Sequence, residues 1–181
     1  LPGVAGVAEG TGYRNEPMRD FSDTAQREVF GKAIDAANVP AGANDATGEQ
    51  ASEAVRSALA AFPAWRDRKP AERSNLMVKV ADLMRQRRDE LAGIMVKEAG
   101  KPWKEADADV CEAIDFCDYY ARLAPAMFTP TPQGRFLGEQ NDVFYQPRGV
   151  SVVISPWNFP LAICTGMVAA SLVTGNTVVC K

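Results

Sequence analysis

The segment from Val150 to Lys181 constrains the fold of this chain more than any other part of the sequence. Its apolar run from Val150 to Ile154 is typical of a buried strand, and Thr177 to Cys180 forms a second such run. The residues between them, from Leu161 to Leu172, predict a helix that ends at Gly175. A strand, a helix and a strand in this order predict two parallel strands joined by a right-handed crossover. We therefore expect an α/β fold.

Two polar side chains follow these predicted strands, at the sheet edge where ligands of open α/β folds bind. Asn158 lies between Trp157 and Phe159, and a proline flanks these three residues on each side. Its amide could stabilise negative charge on a carbonyl oxygen, or could bond the backbone of a turn. Lys181 could donate to nucleotide oxygens or only mark a strand end, and Trp157 could line a cofactor cleft or only pack. The residues alone leave these alternatives open.

Composition and charge exclude several classes of protein. The 181 residues carry a formal net charge of −3, which argues against a nucleic-acid partner. No apolar run approaches the length of a membrane span, and the absence of histidine excludes Ser-His-Asp and Cys-His catalysis. The four cysteines lie in apolar patterns without metal-like spacing. We therefore expect no metal site, and free, buried thiols in a reducing cytoplasm.

The sequence before Val150 predicts a mainly helical lead-in. Residues 1–12 are small and rich in glycine, which is typical of a linker. Ser22 is a candidate N-cap for a helix over 23–37. The loop that follows, from Asn38 to Glu49, has no periodic apolar signal.

Apolar residues at helical spacing predict three further helices. The first spans Ala51 to Ala61 and ends near Pro63. The second begins around Pro70, breaks near Asp89 and stops at Gly100. The third carries an apolar stripe and an opposite acidic face. We expect water to surround that face and assign no catalytic role to its residues, Glu105, Asp107, Asp109, Glu112, Asp115 and Asp118.

A proline-rich crossing separates the last of these helices from the strands. It runs from Pro125 to Gly138 and shows no strand pattern. Beyond it, Val143 to Gln146 and Val150 to Ile154 predict two strands, with residues 147–149 as the turn between them.

Several motifs together resemble the N-terminal part of the aldehyde dehydrogenase superfamily. The most specific is Ile154-Ser155-Pro156-Trp157-Asn158-Phe159-Pro160, followed by Gly175-Asn176-Thr177 and Lys181. The early helices are similar in Ala64-Trp65-Arg66, Arg73 and Glu98-Ala99-Gly100-Lys101-Pro102. A narrower resemblance is to the L-glutamate γ-semialdehyde (1-pyrroline-5-carboxylate) dehydrogenases, which occur alone or as the C-terminal module of proline utilization A. It rests on Tyr13-Arg14-Asn15-Glu16-Pro17, Ala113-Ile114-Asp115-Phe116, Tyr119-Tyr120-Ala121 and Thr165-Gly166-Met167.

The resemblance implies that residues 13–181 form part of a doubly wound NAD-binding domain, with its helical lead-in and first strands. It implies that Asn158 contributes to the oxyanion hole, that Phe159 borders the aldehyde tunnel, and that Lys181 bonds the adenosine ribose of NAD. The NAD cleft would be lined by Ile154, Ser155, Pro156 and Trp157. The implied reaction is thiolate attack on an aldehyde, hydride transfer to NAD and hydrolysis of the thioester. The implied partners are a small aldehyde and further copies of the subunit, with FAD only if a proline dehydrogenase domain is fused upstream.

Two departures from the family pattern lead us to expect a fragment without turnover of its own. The family's nucleophilic cysteine and general-base glutamate are expected beyond Lys181, and none of the cysteines at 111, 117, 164 and 180 stands in the family's cysteine motif. The loop from Asn38 to Glu49 also stands where relatives have a β-hairpin. Two rival functions remain: another aldehyde dehydrogenase subfamily with a different substrate, and a non-catalytic binding module of the same fold.

Overall fold

Six α-helices and two small sheets occur in residues 13–42 and 45–181, the part of the chain that the computed structural model describes. The predicted linker, residues 1–12, lies outside the described residues. The helices are α1 (Thr24–Ala36), α2 (Gly48–Arg66), α3 (Pro70–Gln86), α4 (Arg88–Ala99), α5 (Trp103–Met127) and α6 (Ala162–Val173). The strands are β1 (Thr131–Pro132), β2 (Asp142–Val143), β3 (Val150–Val153) and β4 (Thr177–Cys180).

The predicted parallel strand pair is confirmed. Strand β3 pairs with β4 in parallel, with Val150 opposite Thr177 and Val153 opposite Cys180. The Lys181 N–H extends the ladder by donating to the Val153 carbonyl at 3.0 Å. Gly175 has a φ of 90° and follows the end of α6, as the sequence predicts, because a left-handed residue there closes the helix.

The core lies where α5 packs against α3 and α6. Small residues on α5 let the helices approach closely, and Gly166 on α6 shows how closely. A Cβ added at Gly166 would lie 2.9 Å from Cδ2 of the Phe116 ring, so any other residue there would have to displace that ring. The buried residues of α5 that pack in this core are Ala106, Val110, Ile114, Cys117, Ala121 and Ala124. No helix in the described part of the chain is long and apolar enough to cross a membrane.

The starts of two helices differ from the predictions. The N-cap of α1 is Asp23, whose side chain accepts a hydrogen bond of 2.8 Å from the Ala25 N–H, whereas Ser22 bonds Asp20 instead. Helix α2 begins at Gly48 because Thr47, its N-cap, forms a capping box with Gln50. The featureless loop therefore ends earlier than expected.

Helix α2 also continues through Pro63, where the sequence predicts its end. The lost N–H of Pro63 removes one hydrogen bond, but its carbonyl still accepts from the Asp67 N–H at 3.1 Å. The indole N–H of Trp65 donates to the Leu172 carbonyl at 3.0 Å and fixes this last turn to the end of α6. A tertiary contact thus outweighs the local cost of the proline.

The hairpin predicted around residues 147–149 is wrong. Strand β2 overlaps the predicted strand over 143–146 only at Val143. It pairs antiparallel with β1, which lies inside the proline-rich crossing where no strand is predicted. The N–H groups of Arg148 and Gly149 donate to the side-chain oxygen of Asn176, at 2.6 Å and 2.9 Å. Residues 147–149 are therefore fixed to the turn between α6 and β4 instead of closing a hairpin.

Much of the acidic face of α5 is not solvated, which corrects a further prediction, although Glu105 is exposed as expected. Asp107 and Asp109 are 0% and 1% exposed. Arg88 makes a bidentate contact with Asp107, at 2.8 Å and 2.7 Å. Asp107 also accepts a hydrogen bond of 2.8 Å from the backbone N–H of Arg19. The acidic residues pair with distant parts of the chain because burial of a carboxylate requires such partners.

Arg73, on α3, is fully buried and hydrogen-bonds the ends of α2 and α6. Its guanidinium donates to the Val173 carbonyl at 3.0 Å, at the end of α6, and to the Arg66 carbonyl at 3.1 Å, at the end of α2. It also donates to the Arg68 carbonyl and lies over the Phe128 ring. Burial lowers the pKa of Arg73 from its usual range.

Replacement of Arg73 by methionine should lower the free energy of unfolding by about 2–4 kcal/mol, because the buried Val173 carbonyl and two partly buried carbonyls lose a charged donor. Urea unfolding monitored by circular dichroism measures the change. Arg56→Met is the matched control, since Arg56 forms only an exposed pair with Glu53 and should shift stability by less than about 0.5 kcal/mol. Equal effects of the two substitutions would contradict this account.

The four thiols are free, as predicted, but they are not all buried. Cys111 and Cys117 are buried, Cys164 is half-buried and Cys180 is exposed at the end of β4. Burial raises the pKa of Cys117 from 9.0 to about 12 and has the same effect on Cys111.

The raised pKa of Cys117 predicts that stability falls in alkaline solution. Between about pH 9 and pH 12 the folded state holds the thiol proton and the unfolded state loses it, so the free energy of unfolding decreases as pH rises. The slope approaches about 1.4 kcal/mol per pH unit for this group. Cys117→Ala removes that group alone, so its stability deficit at pH 7 should shrink at pH 10 in reducing buffer. An equal deficit at the two pH values would contradict the assignment.

Candidate functional site

A cavity of about 200 Å³ lies where the turn between α4 and α5 meets the loop that follows β3. The loop contributes Trp157, Asn158 and Phe159 to its wall. The opposite wall comes from the helix turn and the start of α5, with Ala99, Gly100, Lys101, Pro102 and Glu105. Gly100 has a φ of 65°, which ends α4 and brings Lys101 back beneath the loop.

Asn158 lines this cavity, and its side-chain amide has no hydrogen-bond partner among the described residues. The residue is exposed, and within residues 13–42 and 45–181 no hydrogen bond to its side-chain amide occurs. The structure therefore does not contain the alternative hydrogen bond, from the Asn158 amide to the backbone of its own turn. An unpartnered amide beside a cavity can donate to an oxygen atom of a bound molecule.

The backbone of Asn158 is held by a buried ion pair that sequence reasoning missed. Lys101 Nζ donates to the Asn158 carbonyl at 3.0 Å and pairs with Asp109 Oδ2. The other oxygen of Asp109 accepts a hydrogen bond of 2.6 Å from the Ala162 N–H, at the start of α6. The sequence Gly100-Lys101-Pro102 predicts a helix end at this point, but nothing in it indicates a contact between Lys101 and Asp109.

Phe159 lines the cavity and contacts the same ion pair. Its ring centroid is 4.3 Å from Lys101 Nζ, which is a cation–π contact, and part of the ring remains exposed. The structure therefore places the predicted tunnel residue beside Asn158, on the wall of one cavity.

The predicted cofactor residues share the carboxyl edge of the β3–β4 pair. Ile154 and Trp157 are 65% and 83% exposed, Pro156 is exposed and Ser155 is half-buried. The backbone bond from Lys181 to Val153 brings the last residue of the chain beside the start of the loop. No carboxylate of the described residues pairs with the Lys181 ammonium. Flat apolar surfaces and one free ammonium fit the rings and oxygens of a dinucleotide in their chemistry.

The N-terminus of α6 is not free to bind a phosphate at its first N–H. The Asp109 carboxylate already accepts from Ala162, where the positive end of the helix dipole favours a negative group. A cofactor at this edge would therefore be bound by groups other than the Ala162 N–H.

None of the cysteines in the described part of the chain lines the cavity. Burial raises the pKa of both Cys111 and Cys117 to about 12, so these thiols stay protonated near neutral pH and are poor nucleophiles. The pKa of Cys180 is raised chiefly by a hydrogen bond with Cys164, whose sulfur lies 3.3 Å away.

The chain belongs to the aldehyde dehydrogenase family, which matches residues 22–181. The resemblance drawn from the motifs of the loop and β4 is confirmed at this level, and so is the α/β fold that it implies.

A curated relative is the 1-pyrroline-5-carboxylate dehydrogenase of Geobacillus sp. (strain WCH70). It is 40% identical over 201 aligned positions, which cover 93% of this chain and 39% of the relative. The chain thus spans well under half the length of this relative. The alignment is also longer than the 181 residues of the chain, so the relative has residues without a counterpart here. If this chain lacks the hairpin that relatives have between α1 and α2, the alignment must contain such unmatched residues.

Two solved structures superpose closely on this chain. Proline utilization A from Bdellovibrio bacteriovorus, inactivated by N-propargylglycine, has a TM-score of 0.86 and 38% identity, covering 100% of this chain and 21% of that one. The 1-pyrroline-5-carboxylate dehydrogenase from Thermus with bound NAD also has a TM-score of 0.86, with 35% identity, covering 96% of this chain and 40% of that one.

Proposed function

We propose that the protein containing this chain oxidises L-glutamate γ-semialdehyde to L-glutamate with NAD. Family membership supports oxidation of an aldehyde. The names of the curated relatives and of the superposed structures support this substrate, and the NAD in one of those structures supports the cofactor. The observation that carries the proposal is the unpartnered amide of Asn158 at the wall of a cavity.

Asn158 acts in this proposal as a donor to the aldehyde oxygen. Attack on an aldehyde carbon places negative charge on that oxygen, and a pre-oriented N–H in a water-poor site stabilises the charge. The cavity wall around the amide is partly apolar, with Trp157 and Phe159 on either side of it. Phe159 would then border the path by which the aldehyde enters.

The carboxyl edge of the β3–β4 pair would hold NAD. Ile154, Pro156 and Trp157 would cover its apolar faces, Ser155 would line the same cleft, and the Lys181 ammonium would donate to ribose oxygens. When bound, NAD supplies the acceptor for the hydride that leaves the substrate carbon. The chain's own residues bind and orient; none of them carries out the covalent step.

Replacement of Asn158 by alanine should lower kcat by about 10²–10³-fold with little change in the dissociation constant of NAD, because the amide acts on charge that develops during reaction. The assay is NADH formation from glutamate γ-semialdehyde by the product of the complete coding sequence. An unchanged kcat would contradict the role of Asn158.

Two controls complete this assay. The 181-residue chain alone should form no NADH, since no cysteine lines its cavity. A straight-chain aldehyde without the carboxylate tests the rival substrate class, and binding of NAD without turnover of any aldehyde would favour the non-catalytic module.

Replacement of Lys181 by methionine should raise the dissociation constant of NAD by about 5–20-fold, because one charged donor is lost while the stem of the side chain is kept. Quenching of tryptophan fluorescence on NAD binding measures the change. Lys79→Met is the matched control, because Lys79 is exposed on α3 and is distant in sequence from the edge. Equal NAD affinity in the Lys181→Met and wild-type proteins would contradict a contact between Lys181 and the cofactor.

A further inference from the structure

A buried ion pair beneath the 155–160 loop takes no part in the proposed chemistry but contacts that loop directly. Lys101 and Asp109 are 8% and 1% exposed, and the ammonium pairs with Asp109 Oδ2. Removal of two charges from water is costly, and a buried pair is often no more stabilising than apolar residues of the same volume. Stability alone therefore gives little reason for the pair, and its contacts suggest a positional role.

The pair connects the loop and the start of α6 to α5. Lys101 Nζ donates to the Asn158 carbonyl at 3.0 Å and lies 4.3 Å from the centroid of the Phe159 ring. Asp109 Oδ1 accepts 2.6 Å from the Ala162 N–H, where α6 begins. One carboxylate thus fixes both the lysine that holds Asn158 and the helix that follows the loop.

The loop has few other restraints. Among the side-chain hydrogen bonds of the described residues, the one from Lys101 is the only one that residues 155–160 make. The prolines at 156 and 160 have no N–H to donate. Rotation of the Asn158 peptide is opposed by no second hydrogen bond, and such a rotation would move the side-chain amide relative to the cavity.

We propose that Lys101 and Asp109 are positioning residues for Asn158. Lys101 holds the Asn158 peptide so that the amide faces the cavity, and Asp109 holds Lys101 in place. The inference rests on the proposed function, because the orientation of Asn158 affects the rate only if its amide stabilises the transition state. Pre-orientation of such a donor is what makes it effective.

The test uses the product of the complete coding sequence and separates kcat from binding. Lys101→Met should lower kcat by about 10–100-fold, part of the effect of removing an oxyanion donor, with the dissociation constant of NAD within about twofold. Lys101→Arg keeps the charge and a donor, and should restore kcat to within about threefold of wild type. Failure of arginine to restore any rate while methionine lowers it would argue against positioning through this hydrogen bond.

Asp107 provides a matched control for Asp109. It is equally buried and lies two residues away on α5, but its hydrogen bonds and ion pairs among the described residues are to Arg88 and Arg19 and not to the loop. Asp109→Asn should lower kcat and the melting temperature, whereas Asp107→Asn should lower the melting temperature and leave kcat within about twofold. Equal losses of kcat in the two variants would show a structural role and overturn the inference.

A double-mutant cycle with Asn158→Ala tests whether Lys101 acts through Asn158. In that background Lys101→Met should change kcat by less than about threefold, since both substitutions remove one function. Additive losses would overturn the inference. A wild-type kcat in Asn158→Ala itself would overturn both this inference and the proposed function, whereas a loss in Asn158→Ala with none in Lys101→Met overturns the inference alone. If Lys101→Met does not fold, the double variant Lys101→Met with Asp109→Asn replaces it, because it leaves no unpaired buried charge. Its kcat is then measured with and without Asn158→Ala.

Discussion

The carboxylate of Asp109 is the constraint on which the arrangement of the site depends. It accepts from the first N–H of α6 and pairs with Lys101, which in turn holds the carbonyl of Asn158. One buried charge thus fixes a helix start, a helix turn and a loop relative to α5. Loss of either partner would leave an uncompensated charge in the interior, which costs about 3–5 kcal/mol. The positions of the two cavity walls are therefore coupled.

Helix α5 supplies this constraint because it makes both apolar and ionic contacts with the rest of the chain. Its small apolar residues pack against α3 and α6, and its acidic residues bind segments that lie far away in sequence. Asp107 holds Arg88 and the backbone of Arg19, and Asp115 accepts 2.7 Å from the Glu16 N–H. The helix is thus a rigid support whose ends and sides determine where the candidate site forms.

Local patterns predict the part of the fold that depends on local physics. The helix from Leu161, its end at Gly175 and the strand after it follow from composition and backbone preference, and the structure has all three within a residue or so. The burial of Asp109 could not be predicted in this way. A polar stripe on a helix has the same spacing whether water or a distant cation faces it. The hairpin prediction was wrong for the same reason, because the competing contact of residues 148 and 149 is to Asn176, on a later turn.

The most direct test of the account is a crystal structure of the complete protein with NAD and the product L-glutamate. The account predicts that the Asn158 amide lies about 3 Å from the oxygen of the newly formed carboxylate, the distance of a hydrogen bond. It also predicts that Lys101 still donates to the Asn158 carbonyl, with the cofactor against Trp157 and Lys181. An Asn158 amide turned away from the product, or a cofactor bound elsewhere, would contradict the account.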